Sequence, residues 1–299
     1  MFTTIAKAER RRASLKTKGL SCLAILVLLM SPALIDAAEL KPDTLQAWDA
    51  YVRAAKMRMQ LRANGQAPFL WLEEHRDLAQ RVRAGEVLAE PDGGDAPHNV
   101  PGGLIHAWVG AVFLPSAKLD EVAGVLGDYE RYKDFFSPMV VSSKIDELTP
   151  DSEKVSLLMV QKAFSVTGAA ETVDEVRSAK LGADRAYSIS TSVVVHEIAD
   201  FGKPSQHALP PDHGPGYIWR TFTVTRLEQG DGGVYAEFEM IALSRGIPFM
   251  FRWMVQPLAE HLPRNILIAT LQDTRAAVCE AASLRAQAMY PPNDAYHHR

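Results

Sequence analysis

Apolar positions recur along this chain with two different periods, and the change from one to the other divides it. From Leu45 to Met59, the residues Leu45, Trp48, Tyr51, Val52, Ala55 and Met59 return every three or four positions, which is the stripe of an amphipathic helix. Pro42, Asp43 and Thr44 just ahead supply a helix start. A second segment, Phe69–Arg83, carries Trp71, Leu72, Leu78 and Val82 among charges and also reads as helix. Three prolines and four glycines between Ala89 and Gly103 then mark a linker.

Beyond the linker the pattern turns to strands. Leu104–Leu114 is apolar apart from His106 and ends at Pro115; Val140–Glu147, Val155–Thr167, Ala169–Val176, Ala186–Ile198, Tyr217–Leu227 and Val234–Leu243 follow. In Ala186–Ile198, Ser and Thr alternate with Ile and Val, the period of a half-solvated strand. Gly230-Asp231-Gly232-Gly233 between the last two strands is a hairpin signal. Two short helices, Lys118–Leu126 and Glu130–Phe136, separate the first strand from the second, and Pro138 forces the exit. No helix is available for later parallel crossovers, so the seven strands should pair antiparallel. Pro257 and Pro263 split the final helical stretch, which predicts a short apolar helix over Phe249–Val255 and a long helix from near Pro263.

In the last hairpin, the alternation groups Trp219, Phe238 and Met240 on an inner face. It leaves Arg220, Arg226, Glu237 and Glu239 to pair on the outer one, although Phe222 and Val224 fall on that outer face as well. A slip of one residue would bury the glutamates instead.

The first 37 residues stand apart. Six basic residues precede the apolar run Leu20–Met30, and Ala37-Ala38 follow, the pattern of a signal peptide over 1–37. The run is shorter than the ~20 residues that cross a bilayer, and an uncleaved anchor is the alternative. Arg11-Arg12 resembles a twin-arginine signal, but Ser14 stands where an aromatic is usual, which favours ordinary secretion. The chain is therefore expected to be exported, to the periplasm or the medium.

Without that segment, 26 basic and 34 acidic residues remain, a formal charge near −8. That argues against nucleic acid as a partner and limits any membrane contact to a transient one. Cys279 is then the single cysteine and reads as a buried or half-buried helix residue. No phosphate loop, Gly-x-Ser-x-Gly elbow or His-Glu-x-x-His is present. No cofactor, metal or catalytic residue is assigned. His207, Asp212 and His213, in the proline-rich loop Ala199–Gly216, are weak metal candidates; a lid is the better reading of that loop. Asp128 reads as a cap for the Glu130–Phe136 helix, and Tyr129, Tyr132, Phe135 and Phe136 as an aromatic packing cluster.

The order strand, two short helices, six strands and long helix resembles the START-like or helix-grip superfamily, which includes polyketide cyclase-like and coenzyme Q-binding-like proteins. The local likeness is strongest from Asp128 through Tyr129, Tyr132 and Pro138 to Lys144, and it extends over about residues 103–280. It implies an α+β fold in which a curved seven-stranded antiparallel sheet wraps a long C-terminal helix. Residues 38–98 would form a helical extension and linker, 99–288 the helix-grip domain, and 289–299 a tail.

The resemblance also implies a cavity between sheet and helix for an apolar small molecule or lipid, in a noncatalytic binding or carrier protein. Trp108, Trp219, Phe238, Met240, Leu267 and Leu271 are the expected lining, with Thr221 and Thr270 to orient a polar group. A cyclase or hydratase-like enzyme using the same cavity, and an envelope interaction protein without a ligand, are the alternatives.

Overall fold

The computed structural model describes residues 38–94, 96–163, 166–247 and 252–289; the signal-like segment 1–37 and the tail from 290 onward lie outside the described residues. Its organising element is the strand Gly103–Pro115 (β4). It is buried from Gly103 to Leu114, because a layer covers each of its faces. A continuous apolar run is the signature of such two-sided burial.

The order from the amino end is β1 (Ala38–Glu39), α1 (Pro42–Ala63), a 3-10 turn (Trp71–Glu74), α2 (Arg76–Arg83), β2 (Leu88–Pro91) and β3 (His98–Val100). After β4 come α3 (Leu119–Gly127), a 3-10 turn (Tyr129–Arg131) and α4 (Tyr132–Phe135). The strands β5 (Val140–Leu148), β6 (Glu153–Ala163), β7 (Val166–Leu181) and β8 (Arg185–Ala199) follow. Two short strands, β9 (His207–Ala208) and β10 (His213–Gly214), precede β11 (Arg220–Gly230), β12 (Gly233–Arg245) and the long helix α5 (Arg252–Met289).

The long strands pair antiparallel in the order β4-β12-β11-β8-β7-β6-β5. The seven expected strands are joined by three short ones: β2 and β3 on β4, and β9 on β8. The 89–103 linker thus adds two strands to the sheet. At the β11–β12 hairpin, Gly230 pairs with Gly233, and Asp231 and Gly232 both take positive φ (54° and 79°). That is the two-residue turn whose twist matches the flanking strands.

Several expectations change. The helix expected over Phe69–Arg83 is broken at His75, whose extended backbone (φ −132°, ψ 72°) separates the 3-10 turn from α2. The strand expected over Val155–Thr167 ends at Ala163, and Thr167 belongs to β7. Helix α5 runs through Pro257 and Pro263 without the predicted break. Each proline removes one backbone hydrogen bond, a local cost that docking on the sheet outweighs. Asp128 occupies the cap position before Tyr129 but makes no capping hydrogen bond. Cys279 is exposed.

The largest difference lies on the outer face of the sheet. Helix α1 packs Trp48, Val52, Ala55 and Met59 against Ile105, Phe222, Val224, Ile241 and Leu243, so that face is a second core. Arg226, Glu237 and Glu239 do pair as expected, but beneath this layer and out of water. Arg226 reaches Glu237 at 3.1 Å and Glu239 at 2.9 Å, and Arg58 of α1 reaches Glu239 at 2.8 Å and Asp92 at 2.9 Å. The Glu237 carboxylate also accepts the Trp71 and Leu72 amides, each at 2.8 Å. It thereby satisfies the open amino end of the 3-10 turn. Arg220 pairs instead with Asp212 in the loop before β11.

Candidate functional site

The opposite, concave face is set by register, since residues paired across antiparallel strands point to the same side. Trp108 faces Met240, Met240 faces Thr223, Thr223 faces Ser190, and Ser190 faces Val176. The neighbouring row runs Gly110, Phe238, Thr225, Ser188. Helix α5 settles on this second row. An added Cβ at Gly110 would lie 2.8 Å from Leu271 and 2.9 Å from Leu267, so a glycine is what lets the helix approach. The chain has the helix-grip fold.

The grip is uneven along α5. Arg264 donates to the Ala89 carbonyl, opposite Gly110, and Arg275 donates to the Gly85 carbonyl further along. The helix therefore runs from the Gly110 level toward the end of β4. At the Gly110 level the interior is solid: Leu267 and Leu271 are fully buried against Phe238, Val112 and Leu227. Beyond that packing, Met240, Thr221, Thr223 and Ser190 toward the Trp108 half of the face, and Thr225 and Ser188 further along the Gly110 row, are only partly buried. This floor of one thioether and five hydroxyls is the candidate binding surface.

Asp174 stands at the edge of the floor. It is buried, pairs with Ser192 across β7 and β8, and accepts from Thr172 Oγ1 at 2.8 Å and from Thr221 Oγ1 at 3.4 Å. Burial pushes its carboxyl up to about 6, and the two hydroxyls oppose the rise only in part. Ser192 Oγ meanwhile accepts from the Thr221 amide at 2.8 Å, which ties the two strands together beside it.

The proline-rich loop between β8 and β11 is well anchored. Ala38 and Glu39 pair with its β10, and Asp212 binds Arg220. The Glu197 carboxylate accepts the amides of Gly216, Tyr217 and Ile218 at 2.8, 2.5 and 3.1 Å. Burial raises the Glu197 carboxyl, and those three amides pull it back down. His207 and His213 each turn a ring nitrogen to a nearby backbone carbonyl within the loop.

The expected lining residues divide accordingly. Trp108, Phe238, Met240, Leu267 and Leu271 all belong to or pack against the cluster beneath α5. Trp219 belongs to the cluster on the α1 side, because it precedes β11 and its strand alternation does not extend back to it. Thr221 lies on the floor beside Asp174. Thr270 donates to the Ile266 carbonyl of its own helix at 2.9 Å, which commits its one hydroxyl proton. Thr172, Asp174, Ser188, Ser190, Thr223 and Thr225 are not among the expected lining. Their signal was the Ser/Thr alternation on the strands around Ala186–Ile198, which reads equally well as a solvated face.

No protein-family model matches the chain, and no curated protein matches it. Among solved structures, it is similar to the STAR-related lipid transfer protein of Xanthomonas axonopodis (fragment 25–204). The identity is 20% over 61% of this chain and 96% of that one, with a TM-score of 0.43. Human STARD10 is 10% identical over 73% of this chain and 83% of its own, with a TM-score of 0.42. The di-domain ARO/CYC StfQ from the steffimycin biosynthetic pathway is 12% identical over 69% and 54%, with a TM-score of 0.38. At such distances the roles of individual residues are read from this chain alone.

Proposed function

We propose that this is an exported, noncatalytic binding or carrier protein for an apolar small molecule or lipid. The ligand lies on the concave face between β12, β11, β8 and the first half of α5. The observation that carries this reading is the contrast along the grip. Leu267 and Leu271 fill the interior at Gly110, whereas Met240 and the hydroxyl floor beside it are left partly uncovered. Apolar contact at Met240 and the packed Leu267 and Leu271 wall, with hydroxyls beside them to orient polar groups, suits a small molecule that has both apolar and polar parts.

Titration of the full chain with N-phenyl-1-naphthylamine, followed by its fluorescence, tests the reading. Saturable binding is expected, and Met240→Lys should weaken it at least tenfold, because Met240 is the floor's one apolar side chain and an ammonium in its place sits against the apolar body of the dye. Absence of saturable binding, or equal binding by the variant, would count against the site. The leader is tested by amino-terminal sequencing of the protein recovered from outside the cytoplasm, with Ala38 as the expected new start.

An acid–base enzyme on the same face is a second reading, favoured by one observation: a buried carboxyl, Asp174, raised toward neutrality. It would require turnover of the bound molecule, which the carrier reading does not.

A further inference from the structure

Two polar groups on the concave face lack the partners that burial calls for. Asp174 is 6% exposed and its carboxylate receives two hydroxyl hydrogen bonds, one of them long. A carboxylate has about four acceptor sites, and no basic side chain offsets this one among the described residues. Trp108 is also 6% exposed, and its indole N–H has no acceptor among the described residues. Buried donors and acceptors are costly to leave unmet.

These groups lie on one face. Trp108 is on β4 and Asp174 on β7, four strand spacings apart, or about 19 Å measured along the sheet. Between them stand Met240, Thr223 and Ser190. A plain hydrocarbon would leave every one of these polar groups unsatisfied. A molecule of that length with oxygen at both ends would satisfy the two that most need it.

We propose that the Trp108 N–H and the Asp174 carboxylate, the latter backed by Thr172 and Thr221, hold the two ends of an amphipathic ligand. The ligand carries a hydrogen-bond acceptor at its Trp108 end and a hydroxyl donor at its Asp174 end, with an apolar body across Met240. This rests on the carrier reading above and narrows the class of molecule carried: terminally oxygenated apolar compounds rather than simple hydrocarbon chains.

Displacement of N-phenyl-1-naphthylamine from the full chain, stripped of endogenous lipid, by 16-hydroxyhexadecanoate and by hexadecanoate separates the possibilities. The hydroxylated acid should displace the dye at about tenfold lower concentration, the yield of one hydrogen bond to a charged group. Asp174→Leu, which removes a buried charge and so should not hinder folding, should abolish that preference and leave hexadecanoate within about threefold. Trp108→Phe should weaken both acids about equally. Equal displacement by the two acids in the unsubstituted protein, or a preference that survives Asp174→Leu, would overturn the assignment while leaving a carrier in place. If the dye and both acids fail to bind, the carrier reading falls and this inference falls with it.

Discussion

Replacing Glu237 by alanine strikes the joint between the extension and the sheet. The Glu237 side chain is wholly buried and serves three partners: Arg226, and the amides of Trp71 and Leu72. Its loss leaves Arg226, itself 2% exposed, with Glu239 alone, and strands two amides at the start of a turn. Breaking a buried ion pair from one side costs about 3–5 kcal/mol, and each unmet amide would add about 1–3 kcal/mol if nothing relaxed. The amides can regain water if the turn lifts, so about 3–5 kcal/mol in total is the expectation. That is a large share of the ~5–15 kcal/mol that holds a domain folded. Equilibrium urea unfolding, followed by tryptophan fluorescence, measures it. Trp48 and Trp71 report from the extension itself, so a separate early transition would show the extension lifting first. Lys154→Ala, which removes an exposed ion pair with Glu147, serves as the control and should not move the midpoint. A loss below about 1 kcal/mol for Glu237→Ala would refute the view that this carboxylate fastens the extension.

Three further outcomes follow from the geometry. Gly110→Ala places a methyl within 3 Å of Leu267 and Leu271 and should destabilise by about 1–3 kcal/mol. Adding Leu267→Ala should recover part of that in the same unfolding assay. For Asp174, the folded carboxyl at about 6 lies above its ordinary 3.8, so the folded state binds the proton more tightly. Its contribution is therefore most favourable at low pH and is lost as pH rises from about 4 to 6, by on the order of 3 kcal/mol. Asp174→Asn should accordingly gain stability relative to the unsubstituted protein as pH rises through that window; a pH-independent difference would contradict the assignment. Glu197→Ala strands the amides of Gly216, Tyr217 and Ile218, and hydrogen exchange there should speed up at least tenfold while β4 and β12 stay protected.

Much of this architecture is visible in the order of residues. The alternation along the strands and the Gly230–Gly233 turn specify local geometry, and local geometry is what periodicity reports. The second core is harder to see, because a strand's pattern shows how its faces differ but not what covers them. Phe222 and Val224, apolar on the face assigned to solvent, were the trace of α1 lying there. Arg226, Glu237 and Glu239 looked like a solvated ladder because only the folded extension removes their water. The prolines of α5 misled for a related reason: their penalty is local, and the docking that offsets it comes from the sheet. At the site, Met240 and Phe238 follow from alternation. Asp174 does not, since a carboxylate in a Thr-Val-Asp-Glu-Val stretch becomes unusual only once burial isolates it.

Native mass spectrometry of the full chain, purified without detergent, bears most directly on the carrier reading. A mass addition of a few hundred daltons, lost on organic extraction and recovered in the extract as an oxygenated apolar compound, is the predicted result. A bare protein mass, together with no saturable uptake of N-phenyl-1-naphthylamine after extraction, would contradict it.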